Sequence, residues 1–372
     1  MSIDKIIAVT MPKWGLSMTE GKVMEWLVEE GSNLKVGDPV LDIETEKIAN
    51  TFEALDAGVL RKKVANLDDI LPIGALLAVL APMEVSDEQI EVFISDFLEN
   101  YVPPDPEEAD EEGAVGYEYI EAGGYRLRYS KMGEGAENVV LVHGFGGDAD
   151  RWLFTQQPLS AQATVYAFDL PGHGQSTKDV NDGTVPGLAD TVIAFMDALE
   201  IPKARLIGHS LGGAIALQAA IAFPERVTRL DLIAPAGLGE DINKDYIYGF
   251  IEADTRKEMK GLLQELVADP DLINRTLVND MLQFKRTDGV SKALHQIAAG
   301  FVNSDGCQSQ IMREQASTLD LPINVIWGSL DKIIPAHHAE GLPSKIQSTI
   351  LEGHGHLVQL EAATDVNAIL EA

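Results

Sequence analysis

The sequence predicts a multidomain chain: a small all-β domain, then a helix and an acidic linker, then an α/β domain built on a mainly parallel sheet. Three observations lead there. Short apolar runs alternate with glycines to about residue 82, strand-like runs alternate with helical segments from about residue 116, and a stretch rich in proline and glutamate separates the two patterns.

At 372 residues, 45% hydrophobic and 23% charged, the chain has enough material for two independently folded units. A net charge of -31 and a pI near 4.5 repel polyanions. No nucleic-acid partner and no membrane partner is expected, and small molecules and other proteins remain. The start Met1-Ser2-Ile3-Asp4-Lys5 lacks a charged-then-apolar signal pattern, and the longest apolar run, 70–81, is interrupted by Pro72 and Gly74 and is too short to span a bilayer. Cys307 is the single cysteine, which excludes an internal disulfide and a cysteine-based metal cluster and agrees with a reducing compartment. The expectation is a soluble, cytoplasmic protein.

In the first domain, 1–82, apolar runs at 6–9, 23–28, 40–43, 59–60 and 76–80 are separated by glycines at 15, 21, 31, 37, 58 and 74. Short strands joined by turns imply a β sandwich or barrel. The segment 83–115 begins with a capping box, Ser86-Asp87-Glu88-Gln89. Ile90, Phe93, Ile94, Phe97, Leu98 and Tyr101 then recur on one helical face. That stripe is expected to pack on one of the chain's own domains, the other reading being a docking helix for another subunit. Pro103-Pro104-Asp105-Pro106 and the acidic run to Glu112 follow, and about a dozen such residues reach about 40 Å at full stretch.

The third segment, 116–372, carries apolar runs at 138–142, 164–169, 204–208, 228–234, 323–327 and 348–352 with helical sequence between them. Between about 237 and 318 the strand pattern lapses into helices, including 254–267 and 288–301. This is expected to form a lid over the carboxyl edge of the sheet. No internal repeat is present.

Gly208-His209-Ser210-Leu211-Gly212-Gly213 follows a strand-like run and precedes the helix-prone Ala214-Ile215-Ala216-Leu217. Strand, sharp turn and helix are what a nucleophile elbow requires, since glycines around the serine tolerate a strained turn and close packing. His143-Gly144-Phe145-Gly146-Gly147 follows an early strand and can turn backbone N–H groups toward an oxyanion, with the Phe145 and Leu211 amides as candidate donors. A serine hydroxyl needs a histidine to take its proton, and that imidazole needs a carboxylate to fix its tautomer. Asp331, just past the strand run ending at Trp327, is the expected carboxylate, and Glu352-Gly353-His354-Gly355-His356 offers two histidines. His143, His173 and His209 are expected to be structural, and His337 and His338 to be surface residues at a helix start. No pair of histidines stands at helical ligand spacing with a carboxylate, so no metal is expected.

Glu44-Thr45-Glu46-Lys47 lies between two strand runs, which puts Lys47 at an exposed hairpin tip, open to a modifying enzyme.

From residue 116 to its end the chain resembles the α/β-hydrolase superfamily. This implies a mostly parallel sheet with helices on both faces and a cap, and it favours His356 over His354 as the base, because His356 begins the stretch leading through Leu357 to a helix. The first eighty or so residues resemble lipoyl domains, in Gly15-Leu16-Ser17-Met18-Thr19-Glu20-Gly21 and in Glu44-Thr45-Glu46-Lys47. The implied modification is lipoate in amide linkage on Lys47; biotin carriers place methionines on both sides of the lysine, where Glu46 and Ile48 stand here.

Lipoyl domain, acidic spacer and α/β hydrolase in this order resemble the acyltransferase (dihydrolipoyllysine-residue acetyltransferase) subunits of acetoin dehydrogenase complexes. The resemblance implies a Ser210-His356-Asp331 site that passes acetyl from the lipoyl-lysine to coenzyme A. It also implies a thiamine-diphosphate enzyme that cleaves acetoin, a flavin dihydrolipoamide dehydrogenase, a lipoate ligase or lipoyl transferase, and assembly as a homo-oligomer. Two other readings stand beside it: a serine thioesterase using water as acceptor, and a non-catalytic lipoyl carrier on a hydrolase-shaped scaffold.

Overall fold

The computed structural model describes residues 6–12, 20–35, 37–45, 49–54, 56–101 and 116–372. Residues 15–19 of the first matched loop, Lys47 with Glu46 and Ile48, and the acidic run 103–112 lie outside the described residues. The chain divides into two units, Met1–Ala114 with Leu272–Leu277 and Val115–Asp271 with Val278–Ala372. Among the described residues no helix is long and apolar enough to cross a membrane.

Among its described residues the first unit has eight short strands: β1 (Ile7–Thr10), β2 (Glu20–Trp26), β3 (Asn33–Leu34), β4 (Pro39–Glu44), β5 (Ala49–Glu53), β6 (Gly58–Lys63), β7 (Ile70–Pro72) and β8 (Leu76–Leu80). They form two antiparallel four-stranded sheets, ordered β1-β8-β6-β3 and β5-β4-β2-β7. Val23, Leu41, Ile43, Leu60 and Leu77 fill the core of this unit, all fully buried. β8 is apolar at every position because both of its faces are covered. Leu77 and Leu80 join that core, while Leu76 and Val79 meet Ile90 and Ile94 of helix α1 (Asp87–Asn100).

The expected capping box is formed, with Ser86 and Gln89 exchanging backbone-to-side-chain hydrogen bonds of 3.3 and 3.1 Å. The helix thus packs on its own β unit. Arg61 fixes its entry, donating to the Pro82 and Val85 carbonyls at 2.9 Å each and to Asp87 at 2.6 Å. Strands β4 and β5, which flank Lys47 in sequence, pair with Glu44 opposite Ala49.

The second unit opens with an antiparallel hairpin, β9 (Tyr117–Ala122) and β10 (Tyr125–Met132). Its two-residue turn needs left-handed backbone at both positions, which Gly123 and Gly124 supply with φ of 61° and 82°. Six further strands follow: β11 (Glu137–Val142), β12 (Ala163–Phe168), β13 (Ala204–His209), β14 (Val227–Ile233), β15 (Ile323–Gly328) and β16 (Ile346–Leu351). The sheet order is β16-β15-β14-β13-β11-β12-β10-β9, with β11 to β16 mutually parallel and β10 antiparallel to both neighbours. Strands β12, β13 and β15 are buried along their whole length, as expected of parallel strands covered on both faces.

Helices α2 (Leu153–Ser160), α3 (Val185–Ala198) and α4 (Leu211–Ala222) connect the sheet strands, with α4 lying on β13 and β14. The segment between β14 and β15 holds α5 (Lys244–Glu252), α6 (Arg256–Leu263), α7 (Arg275–Arg286), α8 (Val290–Phe301) and α9 (Arg313–Thr318), and α10 (Val358–Glu361) and α11 (Ala363–Glu371) close the chain. One core cluster joins Val139 and Leu141 of β11 to Trp152, Leu159, Val366 and Leu370.

Two of the carboxylates buried within this unit are each met by arginine. Asp169, after β12, takes Arg128 of β10 at 2.6 and 3.1 Å, and Asp231 of β14 takes Arg205 of β13 at 2.7 Å and Asn324 of β15 at 2.8 Å.

Leu141, fully buried at mid-sheet, tests this packing: Leu141→Ala is expected to lower unfolding stability by about 2–5 kcal/mol in urea titration, leaving a cavity the parallel sheet cannot close.

Candidate active site

Ser210 stands between β13 and α4 with φ 55° and ψ -120°, left-handed backbone that a residue with a Cβ adopts only at a cost. Surrounding bonds hold the turn: the Ser210 amide donates to Ile233 O at 2.9 Å, and Ser210 O accepts from the Gly213 and Ala236 amides at 2.9 Å each. The flanking glycines follow from sterics. A methyl at Gly212 would collide with the Val142 carbonyl, one at Gly208 with Gly212 O, and one at Gly213 would stand 2.6 Å from the Pro235 side chain. Strand, helix and neighbouring strand therefore meet at backbone contact.

The loop after β11 lies directly against the serine, since a methyl at Gly144 would come within 2.9 Å of Ser210 Cβ. His143 and His173 shape it. His143 Nδ1 donates to Gly144 O (2.8 Å) and its Nε2 accepts from Leu170 N (3.0 Å); His173 Nδ1 donates to Pro171 O (3.1 Å) and its Nε2 accepts from Gly146 N (3.1 Å). With Gly147 N bonded to Gly144 O, the amides of Phe145 and Leu211 enter none of these bonds. Both histidines are fully buried, and desolvation pulls them down, His143 to about 4 and His173 to about 3. They are neutral linkers, as the sequence suggests.

His356 and Asp331 meet at 2.7 Å, Nδ1 to Oδ2, both buried. The other donors to Asp331 are Trp327 Nε1 on Oδ2 (3.0 Å) and the Ile333 and Ile334 amides on Oδ1 (2.8 and 3.0 Å). Four donors thus aim at one carboxylate and fix its plane, and through it the imidazole. His209 holds the same loop from behind, donating from Nε2 to the His356 carbonyl at 3.0 Å, and burial keeps its own pKa well below the usual histidine value. His354 is half-exposed and lines no part of the cavity.

Ser210, His356 and Phe145 line one cavity, together with Tyr246 of α5 and Met281 of α7. Leu211 is the first residue of α4, adjoining the serine. The sequence-chosen residues of the second unit are therefore gathered at one place, while Lys47 lies outside the described residues. Arg151 also lines the cavity, its Nη2 3.3 Å from Met281 Sδ, and burial pushes the Tyr246 hydroxyl well above the usual tyrosine range. Sequence reading missed Arg151, Tyr246 and the donor role of Trp327; only Trp327, four residues before Asp331 at a strand end, left any signal. It also placed His338 on the surface, but the ring is 3% exposed, packed edge-on against Trp327.

A serine at a strained strand-to-helix turn and an imidazole oriented by a buried carboxylate, meeting at one cavity, are an arrangement suited to acyl transfer. Residues 137–363 match the family model described as alpha/beta hydrolase fold, and residues 7–80 the one described as biotin-requiring enzyme. Dihydrolipoyllysine-residue acetyltransferase components of acetoin cleaving systems from Cupriavidus necator and Pseudomonas putida are each 44% identical over 366 residues, which is 98% of this chain and 96% and 97% of theirs. Among solved structures, the meta-cleavage product hydrolase from Pseudomonas fluorescens IP01 superposes with a TM-score of 0.63 at 26% identity, covering 69% of this chain and 96% of that one.

The neutral histidines set an acid limit. Each has a folded pKa depressed below the ordinary 6.5, so the unfolded chain binds more protons as pH falls below 6.5, and stability is lost progressively toward pH about 4. Urea midpoints measured between pH 8 and pH 4 should be flat above 6.5 and fall below it, and His143→Gln should flatten part of that slope. A second expectation concerns the elbow: Gly212→Ala should destabilise by about 3 kcal/mol or prevent folding, read by thermal denaturation of the purified variant.

Proposed function

The chain belongs to the α/β hydrolases and, within them, to the dihydrolipoyllysine-residue acetyltransferase components of acetoin-cleaving systems, and from that premise we propose that Ser210 carries acetyl from a thioester donor to coenzyme A. The observation that carries the proposal is the 2.7 Å Asp331–His356 bond beside a serine held at φ 55° in the same cavity. Lys47 is the attachment point for lipoate, supported by the match of residues 7–80 and by the antiparallel β4–β5 pair that brackets it in sequence. Lipoate there supplies the dithiol that bears the acyl group.

Ser210 Oγ attacks the thioester carbonyl while His356 Nε2 takes the hydroxyl proton, and Asp331 stabilises the imidazolium through Nδ1–H. The Phe145 and Leu211 amides receive the oxyanion. Collapse expels the donor thiol, which leaves with the proton from His356, and acetyl remains as an ester on Ser210. In the second half the coenzyme A thiol gives its proton to His356 and attacks that ester. The proton then returns to Ser210 Oγ, and acetyl-coenzyme A departs.

As a component of a larger system the chain requires other subunits. Their chemistry follows from the cycle: a thiamine-diphosphate enzyme that cleaves acetoin and loads the acyl group, a flavin dihydrolipoamide dehydrogenase that reoxidises the dithiol, and a lipoate ligase or lipoyl transferase that modifies Lys47. A cytoplasmic homo-oligomer suits that assembly.

The test follows acetyl-coenzyme A and free acetate together, starting from lipoylated, reduced and S-acetylated chain mixed with coenzyme A. Ser210→Ala should lower acetyl-coenzyme A formation by about 10³-fold or more while circular dichroism is unchanged. Undiminished formation would overturn the serine route, and predominant acetate would make the chain a thioesterase.

Lys47→Arg keeps the charge but removes the amine that lipoate would acylate. Intact-mass measurement should then show no lipoyl adduct, whereas an adduct that persists would place the modification elsewhere.

A further inference from the structure

Away from the cavity, two histidines adjacent in sequence converge on a single carboxylate oxygen. Asp241 Oδ2 lies 3.0 Å from His337 Nε2 and 3.4 Å from His338 Nε2, and the three atoms lie within 4.8 Å of one another. We infer that Asp241, His337 and His338 form a site for a borderline divalent transition-metal ion, of which Zn²⁺ is the representative. The expectation that this chain would hold no metal rested on helical histidine spacing. Here the ligands come from a 3-10 turn, 336–339, and from a carboxylate 96 residues earlier in the chain.

The spacing suits the ion. A tetrahedral centre with bonds of about 2.1 Å sets its ligand atoms about 3.4 Å apart, so the 3.0 and 3.4 Å separations from Asp241 Oδ2 need only small adjustments, while the exposed His337 ring must turn in to bring its nitrogen closer to that of His338. Two imidazoles and one carboxylate are a donor set typical of Zn²⁺ and its first-row neighbours, with a fourth position left for water. The two rings stand nearly perpendicular, at 86°, so neither blocks the other's approach.

His338 supplies the argument that this is more than a surface cluster. Its ring is 3% exposed, and its Nδ1 is buried with no hydrogen-bond partner among the described residues. The whole imidazole has thus been taken out of water with Nε2 as its one polar contact, a hydrogen bond at the long end of the range, which is a poor return for that desolvation. A coordinate bond is a stronger return.

Gly239 shows how closely the segment bearing Asp241 is laid on this ring, since a methyl there would come within 2.5 Å of Nε2. Burial lowers the pKa of His338 and hydrogen bonds from both histidines lower that of Asp241, which leaves a neutral imidazole beside an ionised carboxylate near neutral pH.

The site joins two parts of the second unit. Asp241 precedes Asn243, whose amide donates to Ile333 O (2.8 Å) and whose Nδ2 donates to Lys332 O (3.1 Å). His338 packs on Trp327, which donates to Asp331. A bound ion would tie the entrance of α5 to the loop that carries Asp331, as a structural cation beside the acyl-transfer apparatus.

The test uses the full-length chain, stripped with a chelator and with its thiols alkylated, so that neither Cys307 nor any lipoyl dithiol takes the metal. Titration with Zn²⁺ in a calorimeter should show one equivalent bound at micromolar Kd or tighter, and titration with Co²⁺ should give the visible bands of a tetrahedral N/O site. Asp241→Asn and His337→Asn change exposed side chains and leave the core intact; each should weaken binding by about 100-fold. His295→Asn, which alters an exposed histidine 3.0 Å from Glu252, should leave binding unchanged. Binding weaker than about 100 μM, or an affinity that Asp241→Asn does not alter, overturns the site.

Discussion

The second unit depends on how closely β13, α4 and the end of β11 approach one another. At Gly208 and Gly212 there is no room for a Cβ, and at Gly144 a Cβ would press on Ser210 itself. Backbone contact of this kind lets a helix begin immediately after the serine and lets the β11 loop present its amides there. Each glycine costs conformational entropy on folding, and together they make the strained φ of 55° at Ser210 the conformation the surroundings enforce.

Around that elbow the polar groups fall into two electrical classes. Asp169 and Asp231 are buried with arginine partners, charges balanced within hydrogen-bond distance. His143, His173 and His209 are buried without a carboxylate partner of their own, and burial holds all three neutral. Neutral imidazoles donate at one nitrogen and accept at the other, so they can link two backbone groups, as His143 does between Gly144 O and Leu170 N. The loop beside Ser210 is thereby positioned without adding a fixed charge of its own to the cavity.

Much of this was legible in the sequence because it is local. The parallel strands lie within about two residues of their apolar runs, since strands covered on both faces read as continuous hydrophobic stretches. The elbow is legible because its glycines answer to a contact fixed by the turn itself. The β9–β10 hairpin was not, for Glu118, Glu121, Arg126 and Arg128 break its apolar pattern, and Arg128 is buried only because Asp169 waits 41 residues away. The roles of Trp327 and His209, and the burial of His338, likewise arise from tertiary neighbours, and of these only Trp327, four residues before Asp331, left a trace in spacing. His338 is polar and flanked by a second histidine, which suggests a surface, whereas Trp327 and Gly239, distant in sequence, pack against it.

The ion pair between Arg205 and Asp231 has a consequence for how the sheet chooses its alignment. Strands buried on both faces lack the in-and-out alternation that ordinarily penalises a slip, so a shift of two residues along β13, β14 or β15 would replace one aliphatic contact with another. Such a shift moves a strand end by about 6–7 Å and would carry Ser210 away from Asp331 and His356. Asp231 lies opposite Asn324 in the ladder and is bridged to Arg205 on the other side, so one carboxylate pins three strands at once. A slipped pairing would strand that charge in the interior at a cost of about 3–5 kcal/mol, and the penalty acts far from the serine to decide which residues stand beside it.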